Sequence, residues 1–480
     1  MKHLILPGNT GLLLGIGGSG MSSLAHILLD MGFVVYGYDK KNSEVTEQLA
    51  SRGAFIFPSL DQIVTKRMNF VIFSSAVNDK NHEIFSEVSQ LNIPMYHRSA
   101  VLHKIFSISK SISVAGSHGK TSTTAMTAQI LEESKKDPTV MIGGDTDVLG
   151  KKGGKFGTGE WGVYESDESD GTFLKHKADI RLITNIDNDH LDYYHSLDKL
   201  QLAFLDYLSL ESKGIGIVQG RDVGIKSMLK LILGKFYISD EFKLYIFQDE
   251  SKPDTTEITD LVNQLLKKFG EKFQSIPFHI LEGECSFTYD NINYSFRLPF
   301  SGDHYLTNAL CAIFAAYSTG INITQSISIL SKYSGVKRRQ ELLGIKNGIK
   351  VIDDYGHHPT EIRTVIDSLK KEIGFRGKLV VIFQPHRYSR TSLLQKDLAE
   401  SLKGADRLFL LPIYSAGENL IPGISAASIL QHLKNQSSAS LLDGNLALDI
   451  PSIQKSLTTG DMLLCIGAGN VRDWGVEYLK

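Results

Sequence analysis

At 480 residues the chain is too long for one ordinary core and long enough for about three domains of roughly 150 residues each. Its 51 Lys and Arg against 53 Asp and Glu leave a formal net charge of -2, which argues against a non-specific nucleic-acid binder, so anionic ligands must be met by local clusters. Cys285, Cys311 and Cys465 are widely spaced and form no C-x-x-C pair, pointing to neither a disulfide framework nor a zinc site and fitting a reducing cytoplasm. The apolar stretch Leu12-Leu13-Leu14-Gly15-Ile16 is broken by glycine and lacks a cleavage pattern, and no run reaches the ~18 apolar residues of a spanning helix. The expectation is a soluble cytoplasmic protein with no membrane or nucleic-acid partner.

In chain order, an apolar run from Leu12 leads into a glycine loop, a helical pattern over Met21 to Met31 and a second apolar run from Phe33 to Tyr38, the opening of a βαβ unit. Strand signals follow at Phe70 to Phe73 and around Pro94 to Tyr96. A second start, Ile112 to Ala115, precedes glycines and a helix-compatible stretch from Thr123 to Glu133, placing a boundary near 108. Trp161 to Tyr164 and Ile180 to Ile186 read as strands, and Asn308 to Ser318 as an apolar helix stopped by Gly320, with the next boundary near 323. Beyond it, Lys350 to Ile352, Leu379 to Phe383, Leu408 to Leu411 and Met462 to Ile466 are β-rich runs separated by helical lengths. Three consecutive α/β domains are expected over 1–108, 109–323 and 324–480, while 211–299 carries no usable motif.

Gly15-Ile16-Gly17-Gly18-Ser19-Gly20 matches G-x-G-x-x-G between strand and helix, with Asp39 ending the next apolar run. Such a loop brings backbone N–H groups and a helix N-terminus to a pyrophosphate, so a nicotinamide cofactor, a flavin and a UDP-sugar all satisfy it, and a ligand-free packing turn is the bland alternative. Gly116-Ser117-His118-Gly119-Lys120-Thr121 is a shortened phosphate loop, with Val114 where the longer form has glycine. Its amides would hold phosphates, Lys120 would reach the β and γ oxygens, and Thr121 would coordinate Mg²⁺; the bland alternative is a turn before an exposed lysine.

Glu165-Ser166-Asp167-Glu168-Ser169-Asp170-Gly171 and Asn188-Asp189-His190 follow successive β runs, where open α/β sheets bind ligands. Mg²⁺ favours oxygen, so Glu165 suits it better than His190, whereas Asp167 and Asp170 read as a solvated acidic loop. Farther on, Lys337-Arg338-Arg339-Gln340, Asp353-Asp354-Tyr355-Gly356-His357-His358-Pro359 and Gln384-Pro385-His386-Arg387-Tyr388-Ser389-Arg390-Thr391 gather polar groups after apolar runs. Arg387 and Arg390 suit a small carboxylate, which guanidinium can grip through two parallel hydrogen bonds.

Together these strings resemble the Mur ligase family over most of the chain outside 211–299. The resemblance implies a Rossmann-like N-terminal domain, a P-loop ATPase-like central domain and a Rossmann-like C-terminal domain. It implies that L-alanine is joined to the carboxylate of UDP-N-acetylmuramate at the expense of ATP with Mg²⁺, through an acyl phosphate and a tetrahedral intermediate, in peptidoglycan synthesis. The UDP-sugar then falls to Gly15, Gly17, Gly18, Ser19, Gly20, Met21, Asp39, Ser74 and Ser75. ATP falls to Gly116, Ser117, His118, Gly119, Lys120, Thr121, Ser122, Asn308, Arg339 and Asp354, and metal to Thr121, Glu165 and His190. Lys120, Glu165, His190, Arg339 and Asp354 form the implied catalytic set. Tyr355, His357, His386, Arg387 and Arg390 correspond to an amino-acid pocket.

One departure is Tyr305, which stands where the family has an asparagine expected to read adenine; its ring is expected to stack on the base and so to discriminate purines weakly, and the bland alternative is that it packs in the core beside the Asn308 helix while another residue reads the base. The rival readings are a recycling ligase that attaches a preformed tripeptide to the same sugar, an NAD(P)-dependent oxidoreductase that leaves the Lys120 loop unused, and an inactive nucleotide-binding scaffold. A monomer or weak homodimer is expected.

Overall fold

The computed structural model describes residues 8–40, 42–59, 68–75, 77, 83–235, 237–251, 256–375, 377–433 and 438–480. By compactness these residues fall into two units, Met1–Pro299 with Tyr305–Ser334 and Phe300–His304 with Gly335–Lys480. The first unit carries two sheets and the second carries one.

The first sheet has five parallel strands in the order Phe55–Phe57, Val34–Tyr38, Thr10–Leu14, Phe70–Phe73, Met95–His97. Thr10–Leu14 is central: the chain first builds Val34–Tyr38 and Phe55–Phe57 on one side of it, then Phe70–Phe73 and Met95–His97 on the other. Gly15 therefore opens at the switch point, where a crevice forms beyond the strand ends. The helix Ser19–Asp30 begins two residues earlier than the sequence pattern indicates and buries Leu24, Ala25, Ile27 and Leu28 against this sheet.

The second sheet has ten strands, in the order Ile292–Phe296, Glu284–Tyr289, Phe273–Leu281, Phe242–Asp249, Gly214–Gln219, Ile180–Ile183, Lys110–Ala115, Trp161–Glu165, Thr139–Thr146, Lys152–Lys155. Seven inner strands are parallel, and antiparallel pairs close both edges. The stretch without motifs supplies half of this sheet, and the helices Val223–Leu233 and Thr256–Phe269 cover it with Ile225, Met228, Leu229, Leu261 and Leu265. The strand expected over Ile180 to Ile186 stops at Ile183, because Thr184 and Asn185 turn to hydrogen-bond the phosphate loop. The helix near Asn308 spans Asp303–Tyr317.

The second unit's sheet runs Glu341–Lys346, Ile349–Asp354, Met462–Ile466, Leu379–Phe383, Arg407–Leu410, Ala439–Leu441, parallel except for the first strand. The strands Leu379–Phe383 and Met462–Ile466 are wholly buried, as sheets covered on both faces require. Among the described residues no helix is long and apolar enough to cross a membrane.

Candidate active site

The phosphate loop joins the strand Lys110–Ala115 to the helix Lys120–Glu133, whose N-terminus has no side-chain cap. Gly119 holds a left-handed conformation at φ 82°, and a Cβ there would stand 2.8 Å from the Asn308 amide nitrogen. Only glycine meets both demands, so the loop enters the helix with no side chain at Gly119 over the N-terminus, where the helix dipole favours an anion. His118 is pinned behind the loop. Its backbone N–H donates to Asn185 at 2.8 Å, its carbonyl accepts from Thr184 and Asn185, and its Nε2 lies 2.9 Å from Asp187.

Lys120 folds back, its Nζ donating to the Gly116 carbonyl at 2.6 Å, the Ser117 carbonyl at 3.2 Å and Glu168 Oε1 at 2.8 Å. Glu168 is fully buried. Burial opposes charge on Lys120, but the carboxylates of Glu168, Asp167 and Glu165 outweigh it and push its pKa up to about 12, so the ammonium is permanent. The sequence reading singled out Lys120 without this partner; the signal was a second glutamate in the acidic string, three residues past Glu165.

Thr121 donates its hydroxyl to Glu165 Oε2 at 3.0 Å, and that oxygen also accepts the Gly143 N–H at 2.8 Å. This hydroxyl and carboxylate converge as hard oxygen donors and fit Mg²⁺. His190, at φ 57°, turns its Nε2 to Glu168 at 3.7 Å and Asp189 at 3.6 Å. The peptide that donates to Glu165 also receives the Ser23 hydroxyl on the Ile142 carbonyl at 2.7 Å. One peptide unit thus links the helix of the first glycine loop to the Glu165 carboxylate.

In the first loop Gly15 and Ile16 donate to the Tyr38 carbonyl, and Gly17 N–H donates to Asp39 Oδ2 at 2.9 Å. Asp39 therefore shapes the loop that it was expected to complement as a ligand group. Ser19 and Gly20 open the helix, Met21 packs beneath it, and Ser74 and Ser75 follow the neighbouring strand Phe70–Phe73. Ser75 hydrogen-bonds His97 at 3.2 Å and donates to Asp170. Asp170 also accepts from Thr172, and Asp167 accepts the Ser169 N–H at 3.0 Å, so the acidic loop is a set of half-buried, bonded carboxylates and not a solvated one. Asn308 accepts from Gln219 at 3.3 Å. Tyr305 is 4 % exposed, packed in its helix with little ring left for a base to stack on.

In the second unit Asp354 is buried at a strand end, accepting from Gly356 N–H at 2.7 Å and Gln340 N–H at 2.8 Å. Burial pushes its pKa up to about 6 against the opposing charge of Arg339, which also lies 3.8 Å from Glu361. Tyr355 carries the guanidinium of Arg338 at 4.9 Å and that of Arg339 at 5.4 Å from its ring centre. His357 packs edge-on to Tyr355 and 5.8 Å from His386, which stacks on Tyr414. Burial, then the charges of His357, Arg390, Arg387 and Arg338, lower His386 to about 3, and its Nδ1 is buried without a partner. Arg387, at φ 66°, precedes the helix Tyr388–Ser401, whose first turn carries Arg390. Non-glycine residues at positive φ cluster here, at Arg338, Gln340 and Arg387, a strain of about 1–3 kcal/mol each that an ordered site retains. Sequence reasoning missed Tyr414, which stacks on His386, and Arg472, which holds Asp353 at 2.9 Å and Glu341.

Three family models match in succession: "Mur ligase family, catalytic domain" over 13–109, "Mur ligase middle domain" over 114–316, and "Mur ligase, glutamate ligase domain" over 338–469. A UDP-N-acetylmuramate--L-alanine ligase of Dictyoglomus turgidum is 36% identical over 470 residues, covering 97% of this chain and 95% of its own. The chain belongs to the Mur ligase family. The like-named protein of Brucella anthropi is 31% identical to this Mur ligase over 480 residues, 99% of this chain and 98% of its own. Among solved structures, the UDP-N-acetylmuramate-alanine ligase of Thermotoga maritima superposes with a TM-score of 0.75 at 25% identity and 98% coverage of both chains. A murein peptide ligase of Psychrobacter arcticus shares the fold of this Mur ligase, with a TM-score of 0.71 at 22% identity and 98% coverage of both chains.

Proposed function

We propose that this Mur ligase joins L-alanine to the carboxylate of UDP-N-acetylmuramate with ATP, in cytoplasmic synthesis of a peptidoglycan precursor, as a monomer or weak homodimer. The observation that carries the reading is the phosphate loop with Lys120, Thr121 and Glu165 converging at its helix, in a chain related over its full length to L-alanine ligases. The division of labour assigns 1–108 to the UDP-sugar, 109–323 to the phosphates of ATP, and 324–480 to the nucleotide and amino acid.

A carboxylate is a poor electrophile, so ATP first phosphorylates it. The alanine amine attacks the acyl phosphate, and phosphate leaves the tetrahedral intermediate. The amides of the Gly116 to Gly119 loop and the Lys120 ammonium offset the charge that gathers as two anions meet, and holding the reactants in place supplies the rest. Mg²⁺, held by Thr121 and Glu165 with His190 nearby, would add charge neutralisation at the phosphates. Arg339 and Asp354 are assigned to the nucleotide with Asn308. Arg387 and Arg390 are assigned to the alanine carboxylate, within a pocket of Tyr355, His357 and His386. His386 stays neutral, so it does not repel the alanine amine.

The test is phosphate release with ATP and UDP-N-acetylmuramate across free amino acids and the tripeptide substrate of a recycling ligase. Turnover with L-alanine is expected. Equal turnover with the tripeptide alone refutes the reading.

A further inference from the structure

Arg98 is the first residue of the helix Arg98–Phe106, where the helix dipole is positive and disfavours a cation. Its guanidinium nevertheless crosses to the first glycine loop. A Cβ on Gly20 would stand 1.7 Å from Arg98 Nη1, which places the guanidinium directly over that glycine. The side chain is 21% exposed, and Nε is buried without a hydrogen-bond partner. Nη2 faces Asp167 Oδ2 at 3.7 Å, too long for a hydrogen bond, and the Asp167 side chain is 45% exposed, so this pair contributes little to stability.

The helix therefore begins on an under-satisfied cation beside a loop whose Ser19 and Gly20 amides donate to nothing among the described residues. Packing alone does not favour that arrangement: an arginine head with a buried, unbonded Nε, at the wrong end of a helix, has only the long Asp167 contact to offset it. Both deficits are met by an anion that accepts from the guanidinium and the loop amides together, and a phosphate oxygen pair matches the fork of an arginine.

We propose that Arg98 binds the pyrophosphate of the UDP-sugar, and that Asp167 holds the guanidinium in place until substrate exchanges with it. The inference rests on the assignment of a UDP-sugar to this loop. It adds a binding residue outside the glycine motif and makes the acidic loop after Glu165 responsive to occupancy of the first sheet's crevice.

Calorimetric titration of the full chain with UDP-N-acetylmuramate, UDP, uridine and ATP tests it. Arg98→Ala and Arg98→Gln are expected to weaken UDP and UDP-N-acetylmuramate by the same factor, on the order of ten- to a hundredfold for a lost charge-assisted contact, and to leave ATP unchanged. Asp167→Asn is expected to tighten UDP several-fold in the wild-type background and not at all with Arg98→Ala. Unchanged UDP affinity in both Arg98 variants overturns the proposal, as does a loss confined to UDP-N-acetylmuramate, which would place Arg98 on the sugar's carboxylate. Parallel loss of ATP affinity in both variants marks a structural role and also overturns it. If the wild type binds none of the uridine compounds, the functional reading falls and takes this inference with it.

Discussion

Replacing Lys120 by Met should cost stability as well as turnover, and the stability loss should depend on pH. At 2.8 Å the Lys120–Glu168 attraction is about 6 kcal/mol at an effective dielectric constant of ~20, most of it offset by desolvating both groups. Removing one partner leaves a fully buried carboxylate unpaired, for which the expected cost is about 3–5 kcal/mol. Burial already raises the pKa of Glu168 above its usual 4.5, and Lys120 is the leading opposing charge. Without Lys120 the folded-state pKa rises further, the native state binds the proton more tightly than the unfolded chain, and stability falls as pH rises through that range. The deficit should therefore be larger at pH ~8 than at pH ~5.5. Adding Glu168→Gln to Lys120→Met should recover much of it, since no buried charge is then left unpaired. Urea unfolding in a Trp474→Phe background reads this directly, because Trp161, 7 % exposed, then reports on the unit holding the pair. Turnover should drop by ~10²-fold or more in the single variant. A wild-type unfolding midpoint, or a deficit equal at the two pH values, would refute the reasoning.

Gly154→Ala would place a Cβ 1.9 Å from the Ser23 carbonyl, an overpacking of about 1–3 kcal/mol that displaces the helix of the first glycine loop; calorimetry should show weaker UDP-sugar binding with ATP binding retained. Asp354, raised by burial from 3.8 to about 6, makes stability decline as pH rises between those values; Asp354→Asn should flatten that limb in thermal melts recorded from pH ~4 to ~7. Arg387→Ala or Arg390→Ala should raise KM for alanine far more than KM for ATP, and an unchanged alanine KM in both would remove them from the pocket. Because Tyr305 is buried, Tyr305→Asn and Tyr305→Phe should both leave the ATP-to-GTP preference unchanged in steady-state assays; a sharper preference for ATP in Tyr305→Asn would revive the stacking role.

Much of the architecture was legible because its determinants are local. The runs at Phe70–Phe73, Leu379–Phe383 and Met462–Ile466 are strands over the residues that the apolar pattern marks, and both glycine loops lie between strand and helix. Lys120, Thr121 and Glu165 were likewise readable, since a phosphate loop and an acidic residue at the next strand end have fixed places in an open α/β sheet. Partnership was not readable. Lys120 and Glu168 are 48 residues apart, and a string of four acidic residues does not say which one turns inward. The residues of 211–299 carry no motif because buried parallel strands read as uniform apolar runs, with nothing to specify their order; only side-by-side pairing in the completed sheet decides that Gly214–Gln219 lies beside Ile180–Ile183. The same holds for Arg98. Its sequence neighbourhood is an ordinary helix start, and its place over Gly20 arises when the parallel strands Thr10–Leu14 and Met95–His97, with Phe70–Phe73 between them, end at one crevice.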